Sequence, residues 1–448
     1  MSDEGQRNVT VDLARALAIL VVVWFHLSFF RISLAPGDGT GLLGLVGLTL
    51  SMRGFGPVGW IGSWFLQIMP LFFVAGGFAN TLVVDRHVRE GQGYGHYLAR
   101  RAGRLVGPLG LYLGFCTVVG TIIAWVGSVA VGVAVTALAT RVLWFLAIYL
   151  VIILLAPAMV RAHDRWGIAV AALLLAGSLL VDAASFATGS LELRELNLLL
   201  VWPFAHQLGI AYARGGLRHQ PELLSWLTLA GAVAAILALL AVAPYPTTAV
   251  GLGDQMVSNL APPTTPMAML ALAQFAVLAL VERHAGDRLR RSAPLQRVLG
   301  VANATAVTTY LWHLPIIALS VGILLVPTLV AGRPLEVLLT TPFVYLVAVP
   351  LLVLLIPRIG RVEQALSPPA GSRVSTGLVL AGMLVLMAGL ELVRANGMVL
   401  HPGAPWSSAG VLLFVAGATA VAKGSNLTGG GRQRWQGHDE SVLPGGRA

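Results

Sequence analysis

Hydrophobic residues in this chain come in long runs separated by short polar stretches. Most runs approach the length that crosses a bilayer as a helix, about 17 to 25 residues. They lie near 12–30, 58–84, 105–127, 142–160, 167–184, 196–213, 223–243, 266–282, 303–328, 335–357, 374–394 and 407–422. The pattern predicts twelve spanning helices and an all-α polytopic membrane protein. Two further apolar stretches, GLLGLVGLTL (41–50) and SVAVGVAVTALAT (128–140), are too short to cross and fit re-entrant or interfacial pieces on the outer side. The first run has Arg7 before it and Ala35 after it, as a signal peptide would. No clear small-residue cleavage site follows, so it reads as a retained helix.

The basic residues give these helices a direction. With the N-terminus in the cytoplasm, 22 of the 29 Lys and Arg fall on the inner side. Six, Arg31, Arg53, Arg141, Arg194, Arg333 and Arg394, fall on the outer side, and Arg15 lies within a span. The positive-inside rule then predicts a multi-pass plasma-membrane protein with both termini cytoplasmic. A chain that is 57% hydrophobic and 11% charged, with mean hydropathy +0.82, agrees with that class and excludes an ordinary soluble domain. The net charge of +10 is scattered between apolar segments rather than gathered on a soluble recognition fold, so no nucleic-acid partner is expected. The single cysteine, Cys116, excludes an intramolecular disulfide. The segment 244–266 is the longest outer loop between later spans. The Gly-rich tail from Lys423 is expected to be disordered, and its sequon at Asn426 is discounted as cytoplasmic. No internal repeat stands out.

Against this apolar background the ionisable residues inside spans become the candidates for chemistry, because each costs roughly 2.5–3.5 kcal/mol to insert. The first span opens with DLARALAILVVVWFH, Asp12 to His26. Arg15 and His26 are eleven residues apart, which on a helix is about three turns plus 20°, so they share a face at roughly 16 Å along the axis. Asp12 falls within about 40° of His26 and about 60° of Arg15, and Asp12 and Arg15 have the i, i+3 spacing of an ion pair. Asp12 and Arg15 also suit a snorkelling anchor at the cytoplasmic boundary. His26 lies past the middle of the span, where anchoring does not explain it. Imidazole exchanges a proton near neutral pH, although a hydrogen-bonded structural histidine is the alternative. Further along, LARRAGRLVGP (98–108) places Arg101 and Arg104 three apart where the third span is expected to begin, an arrangement suited to phosphate and equally to plain topology. His313 and Tyr310 in TTYLWHLP fit either a shared cavity or helix packing, and His206 in WPFAHQLG fits packing. The tryptophans at 24, 60, 64, 144 and 312 fit sugar stacking or, more commonly, an interfacial belt.

Arg15, ten residues and His26 within a helix opening DLARA resemble the signature of the membrane acyltransferase 3 family, and Arg101-x-x-Arg104 matches that family's cytoplasmic arginine motif. MPLFFVAGGFAN (69–80), LWFLAIYLVIILLAP (143–157) and TTYLWHLP (308–315) are similar to three further family segments, in family order. The resemblance covers about residues 7–357. It departs from the family at Gly76, where a serine is usual, and in two helices beyond the usual ten-helix core. It implies an acyltransferase core at 1–360, additional transmembrane helices at 361–422 and a cytoplasmic tail at 423–448.

The resemblance also implies transfer of an acyl group, commonly acetyl, from cytoplasmic acyl-CoA to a hydroxyl of an extracytoplasmic glycan or lipid-linked sugar. Arg101 and Arg104, with Arg15, are then expected to hold the CoA phosphates, and Asp12 to orient Arg15. His26 is expected to serve as general base or transient acyl carrier. Trp144, Tyr310 and His313 join the site as substrate-binding candidates. No metal and no bound cofactor are expected; acyl-CoA, commonly acetyl-CoA, enters as co-substrate. The partners are membrane lipid, acyl-CoA and the acceptor, with a homodimer left open. A secondary transporter or flippase, binding substrate or protons at Arg15 and His26, is the competing reading. The lack of repeated halves counts against it.

Overall fold

The computed structural model describes residues 8–36, 46–52, 56–252, 257–331, 335–368, 371 and 373–426. The tail from 427 onward, including most of the stretch expected to be disordered, lies outside the described residues. The chain folds as an all-α bundle with one small antiparallel hairpin. Its elements are α1 (Val9–Phe29), β1 (Phe30–Pro36), β2 (Val46–Met52), α2 (Gly56–Leu66), α3 (Met69–Arg89), α4 (Tyr94–Val126), α5 (Val129–Thr140) and α6 (Leu143–Trp166). They continue with α7 (Ala169–Thr188), α8 (Val201–Ala213), α9 (Glu222–Val242), α10 (Thr265–Arg291), α11 (Ala293–Ala304), α12 (Ala306–Ala331), α13 (Thr341–Leu366), α14 (Thr376–Asn396) and α15 (Pro405–Ser425). Among the described residues, eleven helical segments are long and apolar enough to cross a membrane, α2 and α3 counting as one. Apolar side chains such as Leu173, Leu237 and Val353 stand exposed on their outer faces. In a bilayer those faces meet lipid, and the helical hydrogen bonds satisfy the backbone that lipid cannot.

Three expectations change in detail. The run at 196–213 is not one long helix: a 3-10 segment, Glu192–Leu199, precedes the 13-residue α8. Charged Glu192, Arg194 and Glu195 lie just before the run, in the 3-10 segment that takes up its first four residues, and α8 is buried from Val201 to Tyr212 by its neighbours. The run at 58–84 breaks at Gln67 and Ile68, where Gln67 Oε1 accepts from Met69 N at 3.0 Å and Pro70 starts α3. Of the short apolar stretch 41–50, residues 46–50 belong to β2, paired with β1 from Pro36 opposite Val46 to Phe30 opposite Met52; 41–45 lie outside the described residues. The other short stretch forms α5, packed against α4.

The centre of the bundle is the crossing of α3 and α8. A Cβ on Gly77 would overlap the His206 carbonyl and one on Gly209 the Val74 carbonyl, so only glycine allows this approach. Trp202 stacks on Phe73 there, ring centroids 4.8 Å apart. The two last helices use the same device. Gly382 and Gly389 on α14 face Gly410 and Gly417 on α15, where added Cβ atoms would meet the partner backbone. The loop joining them is tied to the bundle: Met398 N donates to Thr136 Oγ1 and Leu400 N to Thr121 Oγ1, each at 2.9 Å, and Trp125 Nε1 donates to the Leu400 carbonyl at 3.0 Å.

Candidate active site

A cavity of about 550 Å³ opens at the end of the bundle opposite the arginine-rich ends of α3, α6 and α10. His26 from α1, Trp144 from α6, Tyr310 from α12 and Met69 from the start of α3 line it. The loop before α10 supplies another wall, through Val250, Gly251, Ser258, Leu260 and Ala261. That loop is held by buried polar groups. Asp182 accepts from Tyr245 Oη at 2.9 Å, Thr265 N at 2.8 Å and Asn197 Nδ2 at 2.8 Å. Ala249 N donates to Ser63 Oγ at 2.9 Å, and Trp64 Nε1 to the Thr247 carbonyl at 3.0 Å.

The tautomer of His26 follows from its helix. The ring nitrogen Nδ1 lies 2.7 Å from the Val22 carbonyl one turn earlier, and a carbonyl can only accept, so Nδ1 carries the proton. The neutral ring then keeps its lone pair on Nε2. His313, fully buried on α12, follows the same logic: its Nδ1 lies 2.7 Å from the Tyr310 carbonyl. Its Nε2 is buried and has no hydrogen-bond partner among the described residues. The two imidazoles lie with ring centroids 4.8 Å apart. Tyr310 donates its hydroxyl to the Val142 carbonyl at 2.9 Å, which leaves its oxygen able to accept but its proton committed. On the other side of α12, Trp312 Nε1 donates to Glu363 Oε1 at 3.0 Å and Thr308 donates to Oε2 at 2.5 Å. Trp312 is therefore a buried packing residue and not part of an interfacial belt.

Arg15, Asp12, Arg101 and Arg104 do not line this cavity. Between the cavity and the level of Arg15 the packing closes to a void of about 10 Å³ among Ala18, Ile19, Val22, Met69, Phe72, Phe145 and Tyr310. The two motif arginines are also placed differently from expectation. The helix begins at Tyr94, so Arg101 and Arg104 sit about two and about three turns inside α4 rather than at its N-terminus. The helix-terminus argument for phosphate binding therefore does not apply to them. Arg101 turns into the bundle, donating through Nη2 to the Ala79 carbonyl at 3.3 Å, and Arg104 is exposed. Nearby, His206 is buried against Asn80, with Nε2 and Nδ2 3.1 Å apart, as a packed polar pair.

The family model for the acyltransferase domain of the acyltransferase 3 group matches residues 8–356. The chain belongs to the acyltransferase 3 family. It is a membrane acyltransferase. Comparison with curated proteins and with solved structures returns no match. The matched segment ends inside α13, and α14 and α15 lie beyond it. At Gly76, the position where the resembling family usually has serine, a Cβ would meet only Tyr149 Cε2 at 3.7 Å, ordinary contact distance.

Reading the sequence missed the polar residues that share the cavity with His26, namely Arg141, Arg394, Ser63, Gln67, Thr140 and Ser258. Two of them carried a signal. Arg141 and Arg394 belong to the six arginines that break the positive-inside bias, and a charge on the disfavoured side of a membrane protein calls for a reason.

Proposed function

We propose that this acyltransferase moves an acyl group, commonly acetyl, from cytoplasmic acyl-CoA to a hydroxyl of an extracytoplasmic glycan or lipid-linked sugar, with His26 as general base. The observation that carries the reading is His26 in the wall of the cavity of about 550 Å³, its Nδ1 occupied by Val22 and its Nε2 left as the basic nitrogen. The bias of arginine toward the opposite end supports a cytoplasmic donor side there and an acceptor entering from the cavity mouth.

In the step this implies, Nε2 of His26 takes the proton of the acceptor hydroxyl while its oxygen attacks the thioester carbonyl. The carbon–sulfur bond breaks, an ester forms, and the CoA thiolate leaves and recovers a proton. Arg101, Arg104 and Arg15 are proposed partners for the CoA phosphates, with Arg104 the exposed member. The acyl arm would pass the contact of Phe72, Phe145 and Tyr310, so those side chains must move for the thioester to reach His26.

Purified protein in lipid nanodiscs, given radiolabelled acetyl-CoA and envelope glycan, should yield labelled glycan. Mass spectrometry of the envelope glycans of wild-type and deletion cells would give the acyl group and acceptor from the mass increment that one glycan loses. A His26→Ala variant that labels as fast as wild type would overturn the mechanism.

A further inference from the structure

We propose that the acceptor carries a negative charge, phosphate or carboxylate, and that Arg141 and Arg394 bind it in the wall of the His26 cavity. The inference rests on reading that cavity as the acceptor side. Arg141 follows directly on α5 as its C-cap and Arg394 lies in the last turn of α14, so the ends of two separate helices bring arginines to the lining of one cavity. Arg141 is exposed, and its side chain has no hydrogen bond or ion pair with any described residue. Arg394 pairs with Glu391 one turn earlier, Nε to Oε2 at 2.8 Å and Nη2 to Oε1 at 2.5 Å. That pair is 45% and 57% exposed, a setting in which an ion pair is weak, and it leaves Nη1 of Arg394 free to donate. The described lining includes no aspartate or glutamate, and Thr140, whose hydroxyl donates to the Ala137 and Arg394 carbonyls, and Ser258 also line the cavity.

A planar guanidinium donates two parallel hydrogen bonds to a carboxylate or phosphate, and two arginines from different helices define both position and charge. An acceptor held by its anion at these residues is fixed while one of its hydroxyls meets His26. The proposal also gives the appended helices a role. Arg394 lies beyond residues 8–356, so the family core alone does not contain it. The α14–α15 loop hydrogen bonds to Thr121, Trp125 and Thr136 hold the end of α14 against α4 and α5, next to Arg141. The added hairpin thereby completes one wall of the site.

The full chain in nanodiscs should be tested for binding of two matched ligand pairs. One pair is a glucuronate-containing tetrasaccharide and its neutral glucose counterpart. The other is a prenyl-phosphate-linked disaccharide and the same prenyl disaccharide lacking phosphate. At least one anionic member should bind about tenfold tighter than its neutral match, the discrimination expected from one charge-assisted hydrogen-bonded contact. The pair that discriminates identifies carboxylate or phosphate. Arg141→Gln and Arg394→Gln should each reduce the preference, the double variant should abolish it, and Arg141→Lys should retain part of it. Equal binding within both pairs, no binding of any member, or a preference that survives in the double variant overturns the proposal. Radiolabelled acetyl transfer to envelope glycan on the same preparation separates the two ideas. Labelling without charge preference refutes the anion site alone, and charge preference without labelling supports the site while counting against acetyl transfer.

Discussion

His26 and His313 reach each other from different helices, ring centroids 4.8 Å apart, and each spends its Nδ1 proton on a carbonyl of its own helix. The shared tautomer leaves two basic Nε2 atoms in one buried region, one at the cavity wall and one behind it. In this tautomer neither Nε2 carries a proton. In the proposed mechanism, once His26 has taken the acceptor proton, His313 is the adjacent base able to share or relay it.

Removing His26 should therefore cost most. His26→Ala and His26→Gln are expected to lower the transfer rate by about a hundredfold or more, the range for loss of a general base. Folded yield should stay unchanged by size-exclusion chromatography, since the ring borders a cavity. Transfer rates above a tenth of wild type would speak against the base role.

His313 should show a different signature. His313→Gln is expected to reduce kcat while leaving KM for the acyl donor near wild type, because the ring touches His26 and does not line the cavity. The acid limb of the kcat profile should move, since the proton on His26 loses its neighbour. A KM effect with an unaltered pH profile would mark His313 as a packing residue.

The loop wall depends on Asp182. Asp182→Ala leaves Tyr245 Oη, Thr265 N and Asn197 Nδ2 without their acceptor, at about 1–3 kcal/mol for each buried unsatisfied group. A lowered Tm and weakened acceptor use are expected together. Asp182→Asn, which keeps one acceptor oxygen, should fall between. Thermal unfolding followed in nanodiscs checks the order.

Two neighbouring glycines should behave oppositely. Gly77→Ala forces a Cβ into the His206 carbonyl where α3 crosses α8, an overpacking cost of about 1–3 kcal/mol or more. Gly76→Ser places its Cβ at ordinary contact distance from Tyr149. Detergent-extracted folded yield should drop for the first and hold for the second.

Opening the aromatic contact above Arg15 should expose the donor path. Phe72→Ala removes a ring that meets Phe145 at 5.0 Å and borders the void of about 10 Å³. Faster acetyl-CoA hydrolysis without acceptor is the expected outcome, measured as free thiol. Unchanged hydrolysis would mean that the acyl arm takes another route.

The chain's own pattern determined a great deal here. Long apolar runs can exist in lipid as helices that satisfy their own backbone, so the class and the approximate placement of the spans follow from local composition, whereas the count does not: twelve runs are expected, and eleven helical segments among the described residues are long and apolar enough to cross. The shared face of Arg15 and His26 is likewise a property of one helix, and helical periodicity is enough to read it. What the sequence could not supply is which helices touch. His26 meets His313 through the packing of α1 on α12, residues separated by most of the chain. Arg141 and Arg394 join the same cavity because glycine contacts pair α14 with α15 and loop hydrogen bonds dock them on α4 and α5. Neighbouring helices all present similar apolar faces, so pattern cannot choose among partners. Close fit of small residues and a few buried polar bonds makes that choice, and these exist only once the chain is folded.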